Sequence, residues 1–143
     1  MNDRQLLSTL DLDVRWGDMD ALGHVNNAAY LTYFESARVD WLTKVAAGAS
    51  VGHGTADGPV VVNSFIEYRR PVVYPARIRV RLYCAPPGRS SFDTSYELVD
   101  AADPECLYAV GSARVVWVNH REGRSAPLPD AIRTLLPAGN RET

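Results

Sequence analysis

Between Arg77 and Leu98 the chain changes polarity at almost every step. Arg77, Arg79 and Arg81 alternate with Ile78, Val80 and Leu82, and further on Phe92, Thr94, Tyr96 and Leu98 alternate with Asp93, Ser95 and Glu97. A period of two sends successive side chains to opposite faces, so both runs read as half-buried strands. The PPGRS connection at 86–90 reads as a hairpin, which commits this half of the chain to an antiparallel sheet. In that hairpin the arginine face of one strand meets the acidic face of the next. The three-Arg stripe is therefore expected to be a paired, solvated sheet face and not a nucleic-acid patch. Residues 60–70, closed by Pro71, and 107–119 read as further strands. So do residues 10–17, where Leu10, Leu12, Val14 and Trp16 share a face opposite Asp11, Asp13 and Arg15.

One stretch obeys a different period. Over residues 27–46, Tyr30, Phe34, Ala37 and Trp41 recur at helical spacing, flanked by Leu31, Leu42 and Val45, and Asn26 or Asn27 can cap the start. The apolar arc is wide, as expected for a helix embraced by a sheet. Residues 46–59 hold four glycines and read as a loop, without the Lys-Ser/Thr ending of a phosphate loop. Residues after Pro129 form a short terminal helix. The outline is strand, one long helix, then four antiparallel strands in a meander, an α+β chain and not a set of βαβ units.

Composition bounds the partners. At 143 residues, with 46% hydrophobic and 22% charged residues, the chain reads as one domain spanning 1–143. The net charge of −2 leaves no acidic or basic tail for a nucleic acid or a membrane surface, and no apolar run approaches a membrane span. The first ten residues lack the apolar core of a secretory signal. Cys84 and Cys106 show no CxxC or metal-ligand spacing and read as packing residues in a reducing compartment; His24, His53 and His120 are too scattered for structural zinc. Of 15 basic residues all but Lys44 are Arg, which reads as codon usage more than as phosphate binding.

Chemistry concentrates in Trp16-Gly-Asp-Met-Asp-Ala-Leu-Gly-His-Val-Asn-Asn-Ala-Ala-Tyr. A calcium loop counted from Asp18 fails at Leu22 and Ala29, where oxygen ligands are required. A metal-dependent Asp-x-Asp enzyme would need further charged partners that do not stand out. What remains is a carboxylate beside a helix N-terminus, whose free N–H groups and positive dipole end can polarise a carbonyl and stabilise an oxyanion. That is a minimal kit for acyl-transfer hydrolysis.

The same segment, GDMDALGHVNNAAYLTYFESAR, resembles the signature of the hotdog-fold acyl-CoA thioesterases typified by 4-hydroxybenzoyl-CoA thioesterase, and FIEYRRPVVYPARIRV is similar to the second and third strands of that family. The resemblance implies a long central helix wrapped by a curved antiparallel β-sheet. It implies homodimers or homotetramers with active sites at the interface, an acyl-CoA substrate, no metal or organic cofactor, and a cytoplasmic setting.

Carried over by position, the catalytic carboxylate falls on Asp20, as nucleophile or general base, with Asp18 structural. The oxyanion donor is the main chain at the first helical turn, for which Asn27 is the match. His24 is expected to hold the loop by hydrogen bonds. Glu35 is the second-choice acid, since another hotdog branch carries its acid further along the helix, and it is otherwise expected to pair with Arg38 or to tie into the sheet. Arg89, then Ser90 and Ser91, are expected at the coenzyme A phosphates, with Arg69 and Arg70 behind them. Tyr30, Tyr33, Phe34 and Phe65 are candidates for the acyl pocket. The alternatives are hydrolysis of an acyl-carrier-protein thioester and a non-catalytic hotdog domain that binds acyl-CoA.

Overall fold

The alternating runs form strands because each has one face to bury and the helix supplies what to bury it against. In the computed structural model, which describes residues 3–45 and 56–138, β1 (Gln5–Asp13) leads through a single 3₁₀ turn (Trp16–Asp18) into α1 (Asn27–Val45). Then follow β2 (Asp57–Tyr68), β3 (Arg77–Cys84), β4 (Ser91–Asp100), β5 (Leu107–Asn119), a short β6 (Arg124–Ser125) and α2 (Asp130–Arg133). The strands form one antiparallel sheet in the order β1-β3-β4-β5-β2, with β6 on β5.

The expected meander exists for β3, β4 and β5. β2 does not continue it but crosses to the outer side of β5, where Tyr68 sits opposite Ala109 and Asp57 opposite Asn119. Both β1 and β2 are thus edges. The first strand also differs from its sequence reading. It begins earlier, at Gln5, and stops at Asp13, because the Asp18 carboxylate draws the chain into the 3₁₀ turn by accepting the Arg15 N–H. Trp16, expected on the inner face, is 77% exposed as a result. Most of the 46–59 loop lies outside the described residues, and its last three positions belong to β2.

The helical stripe is confirmed. Tyr30, Phe34, Ala37, Trp41 and Leu42 are buried against the sheet, whose inner face presents Phe92, Tyr96, Val115 and Trp117. Phe34 stacks on Tyr96 at 4.8 Å and Trp41 meets Phe92 edge-on at 6.3 Å. Gly111 of β5 makes this approach possible: a Cβ there would lie 2.5 Å from the Phe34 ring and 3.0 Å from the Phe65 carbonyl oxygen. Cys84 is buried and Cys106 half-buried, both as free thiols.

On the outer face the arginine stripe is paired, but only partly as the hairpin implied. Arg81 reaches Glu97 across the hairpin at 3.1 Å. Arg79 and Arg77 turn instead to β1, to Asp11 at 2.8 Å and Asp13 at 2.9 Å, because β1 places those acids directly opposite them. Asp93 takes Arg114 of β5 at 2.8 Å. Such solvated pairs are each worth roughly 0–1 kcal/mol, so they set register and solubility more than stability.

Candidate active site

The loop between β1 and α1 is closed by its own backbone. Met19 and Val25 form an isolated antiparallel bridge, the Asp20 N–H donates to the His24 carbonyl at 2.9 Å, and the Val25 N–H donates to Val72 at 2.8 Å. Gly23 sits at φ 89°, a conformation that favours glycine, and this turn returns the chain to the helix start. Asp18 clamps the base of the loop. Its carboxylate accepts the Arg15 N–H, the Arg15 guanidinium and the Tyr33 hydroxyl, and its carbonyl accepts the Asn26 N–H. Burial alone would raise the Asp18 pKa, but those donors outweigh it and hold the carboxyl below its usual range; burial and Asp18 together push the Tyr33 hydroxyl far up.

Asp20, half-buried, uses one carboxylate oxygen to accept the Leu22 N–H at 2.9 Å; among the described residues the other oxygen has no donor and no cation pairs with it. Asn26 is the N-cap of α1, its side-chain oxygen accepting the Ala28 N–H at 2.8 Å and its carbonyl the Ala29 N–H at 3.0 Å. The N–H of Asn27 has no acceptor among the described residues, while the Asn27 carbonyl accepts the Tyr68 hydroxyl at 2.9 Å. Helix N-termini carry four such orphan donors, and an open one at the positive end of the dipole is a ready oxyanion ligand.

Beside this turn lies a cavity of about 190 Å³ lined by His24, Asn27, Tyr30, Tyr68, Arg69 and Arg70, among others. Asp20 does not line it, though it leaves the same loop. The His24 imidazole makes no hydrogen bond among the described residues; His24 holds the loop through its carbonyl, contrary to the expectation for its ring. Tyr30 is buried and stands edge-on to Tyr68 at 4.8 Å. Tyr68 ties the end of β2 to the helix start and was not foreseen. Its only trace in the sequence is an aromatic residue closing a strand.

Other expected site residues lie elsewhere. Phe34 and Phe65 line a second cavity of about 400 Å³ between α1 and β2, together with Glu35 and Arg38. Tyr33 is committed to Asp18 and faces neither cavity. Glu35 makes no ion pair with Arg38, which ties into the sheet through the Tyr96 hydroxyl. Arg89, Ser90 and Ser91 sit at the far end of the strands. Ser91 is opposite Val116 on β5, whereas Tyr68 is opposite Ala109, seven residues or about 23 Å away along that strand. Within one protomer they do not meet the helix N-terminus. Among the described residues, no cluster of His, Cys, Asp and Glu could hold a metal ion and no helix is long and apolar enough to cross a membrane.

A long helix wrapped by an antiparallel sheet is the architecture of the hotdog-fold thioesterases. The chain belongs to the thioesterase-like superfamily, which it matches over residues 14–136. It is similar to a provisionally named esterase of Aquifex aeolicus, with 30% identity over 123 residues, 86% of this chain and 92% of that protein. Among solved structures it is similar to the PA2801 protein of Pseudomonas aeruginosa, provisionally named a thioesterase (45% identity, 91% of this chain and 98% of that one, TM-score 0.85). It is also similar to a provisionally named acyl-CoA thioesterase of Xanthomonas campestris (35% identity, 87% and 100% coverage, TM-score 0.76).

Proposed function

We propose that the protein is an acyl-CoA thioesterase, hydrolysing a thioester to a free acid and coenzyme A. The observation that carries this reading is a pair of groups with no bond among the described residues: the second carboxylate oxygen of Asp20, on the loop, and the main-chain N–H of Asn27, at the start of α1. When the thioester carbonyl becomes tetrahedral its oxygen gains negative charge. The Asn27 N–H and the positive end of α1 stabilise that charge with donors already in place. Asp20 either attacks the carbonyl carbon, forming a mixed anhydride that water then cleaves, or takes a proton from the water that attacks. Both routes release the thiolate of coenzyme A and need no other side chain as nucleophile.

Assembly completes the coenzyme site in this reading. Among the described residues β2 pairs only with β5, and Val61, Val62, Phe65 and Tyr68 are exposed along it. An open apolar edge of this length is a template for a second strand. Two β2 edges joined antiparallel about a two-fold axis bring the far end of one sheet beside the near end of the other. That carries Arg89, Ser90 and Ser91 of one copy toward the helix N-terminus of its partner, where Arg69 and Arg70 already line the smaller cavity. Light scattering is expected to give at least twice the 15.7 kDa chain mass at micromolar concentration; a stable monomer would count against both the edge pairing and the shared site.

Thiol release measured across acyl-CoAs, acyl-pantetheines and acylated carrier protein tests the activity. Turnover of acyl-CoAs is the expected result. Turnover of the carrier-protein substrate alone would make the protein a carrier-protein thioesterase, and tight acyl-CoA binding without turnover would make it a non-catalytic binder. Inactivity and absence of binding with every substrate would sink the reading altogether.

A further inference from the structure

The larger cavity holds a cation that the chemistry at Asp20 does not use. Arg38 donates from Nη1 to the Tyr96 hydroxyl at 3.0 Å; that hydroxyl is 2.8 Å from Thr94 Oγ1, which itself donates to the Ala113 carbonyl at 2.9 Å. Because Thr94 gives its proton to Ala113, Tyr96 must donate to Thr94 and accept from Arg38. The chain of donors runs one way, from the guanidinium to a backbone carbonyl, through two side chains that are 1% and 2% exposed. It fixes Arg38 by one of its five N–H groups. Among the described residues the remaining four have no acceptor, and no carboxylate lies within 4.0 Å: Asp40 is taken by Lys44, and Glu35, exposed and lining the same cavity, makes no ion pair with the guanidinium.

The surroundings are those of an acyl site. Leu31, Phe34, Val61 and Phe65 supply apolar walls, and Ser64 and Ser112 add hydroxyls to a space of about 400 Å³. The two elements that bound it also bound the proposed reaction centre. Asn27 and Tyr68 line the smaller cavity, Arg38 and Val61 the larger; along α1, Asn27 and Arg38 are eleven residues or roughly 16 Å of helix axis apart. Helical side chains lean toward the helix N-terminus, which for one as long as Arg38 leaves roughly 10 Å for a ligand.

We infer that the cavity selects acyl groups of medium length whose far end carries a carboxylate, with Arg38 as the specificity-determining residue. The inference rests on the acyl-CoA thioesterase reading for the position of the thioester at Asn27. A planar guanidinium with free N–H groups on a fixed stem matches a carboxylate in a two-bond fork, whereas a methyl terminus leaves those donors dry and unbonded. The contact is made equally before and during reaction, so it acts mainly on KM.

The test compares the CoA thioesters of octanedioic and octanoic acid, which differ only at the terminal carbon. In the wild type kcat/KM is expected to be at least about tenfold higher for the dioic substrate. Arg38→Met is expected to bring that ratio to one or below, with the loss in KM; Arg38→Lys to restore part of it; and Glu35→Gln to leave it unchanged or raise it. Calorimetric binding of both thioesters to Asp20→Asn reads the same preference without turnover. If nothing is hydrolysed but the dioic thioester still binds tighter in an Arg38-dependent way, the enzyme reading fails and the anion site stands. Equal or better use of the octanoyl substrate by the wild type overturns the inference. So does an unchanged ratio in Arg38→Met with an unchanged melting temperature.

Discussion

Asp20→Asn is expected to lower kcat for acyl-CoA hydrolysis by about 10²–10⁴-fold or more, the usual worth of a positioned base, with affinity for the thioester nearly intact. The side-chain amide can keep the bond that Asp20 makes to the Leu22 N–H, so the Asx turn and the Gly23 corner survive. What it cannot do is attack a carbonyl carbon or accept a proton from water. The loss should therefore fall on kcat and on kcat/KM alike, the mark of an interaction made only in the transition state. Glu35→Gln is the comparison. Glu35 lines the larger cavity two turns along α1, and its replacement is expected to cost far less. A larger loss at Glu35 than at Asp20 would move the chemistry into that cavity, and near-normal turnover by Asp20→Asn would remove the acid from the mechanism.

The parts of the fold legible in the sequence were those with a strong period. Arg77 to Cys84 and Ser91 to Asp100 emerge almost to the residue, because each buries one side of a pleat and exposes the other. The helical stripe from Tyr30 to Trp41 emerges for the same reason at a different period. Where periodicity competed with local hydrogen bonding it misled. Val14 is buried as the alternation of the first strand requires, but Trp16 is not, because the Asp18 carboxylate captures the Arg15 N–H and turns the chain. Strand order was less legible still. Nothing in residues 57–68 announces that they will cross to β5, and that crossing leaves Val61, Val62 and Phe65 on an open edge.

For the candidate site, the motif keeps Asp20, His24 and Asn27 near one another because they are close in sequence and the loop is closed by a backbone bridge, though Asp20 does not line the cavity that His24 and Asn27 share. Residues that reach the site through the sheet were invisible. Tyr68 bonds the Asn27 carbonyl from forty-one positions away, and Tyr96 holds Arg38 from fifty-eight. The sequence left Arg38 two fates, a pair with Glu35 three residues earlier or a tie into the sheet. Packing against β4 selects the second, since the buried Tyr96 hydroxyl accepts from the guanidinium.

Asp18→Ala is expected to cost about 2–4 kcal/mol of stability, because it leaves the buried Tyr33 hydroxyl and the Arg15 N–H without an acceptor. It should also lower kcat, since the loop that carries Asp20 is anchored at its base by this carboxylate. Asp18→Asn retains one acceptor oxygen and should cost less in both respects. The pH dependence separates the carboxylate from mere packing. Asp18 titrates below its ordinary range in the folded protein: burial works against the charge, but the Arg15 N–H, the Tyr33 hydroxyl and the Arg15 guanidinium prevail. A carboxylate whose native pKa is depressed contributes its full stability above the unfolded value of about 3.9 and loses it as pH falls through the native value. Urea unfolding of wild type and Asp18→Ala should therefore show a gap that is constant from neutral pH to about pH 5 and closes progressively below about pH 4. A variant as stable as the wild type at neutral pH would show that the 3₁₀ turn is held by something other than Asp18. A gap that does not narrow in acid would show that the lost contact was not ionic.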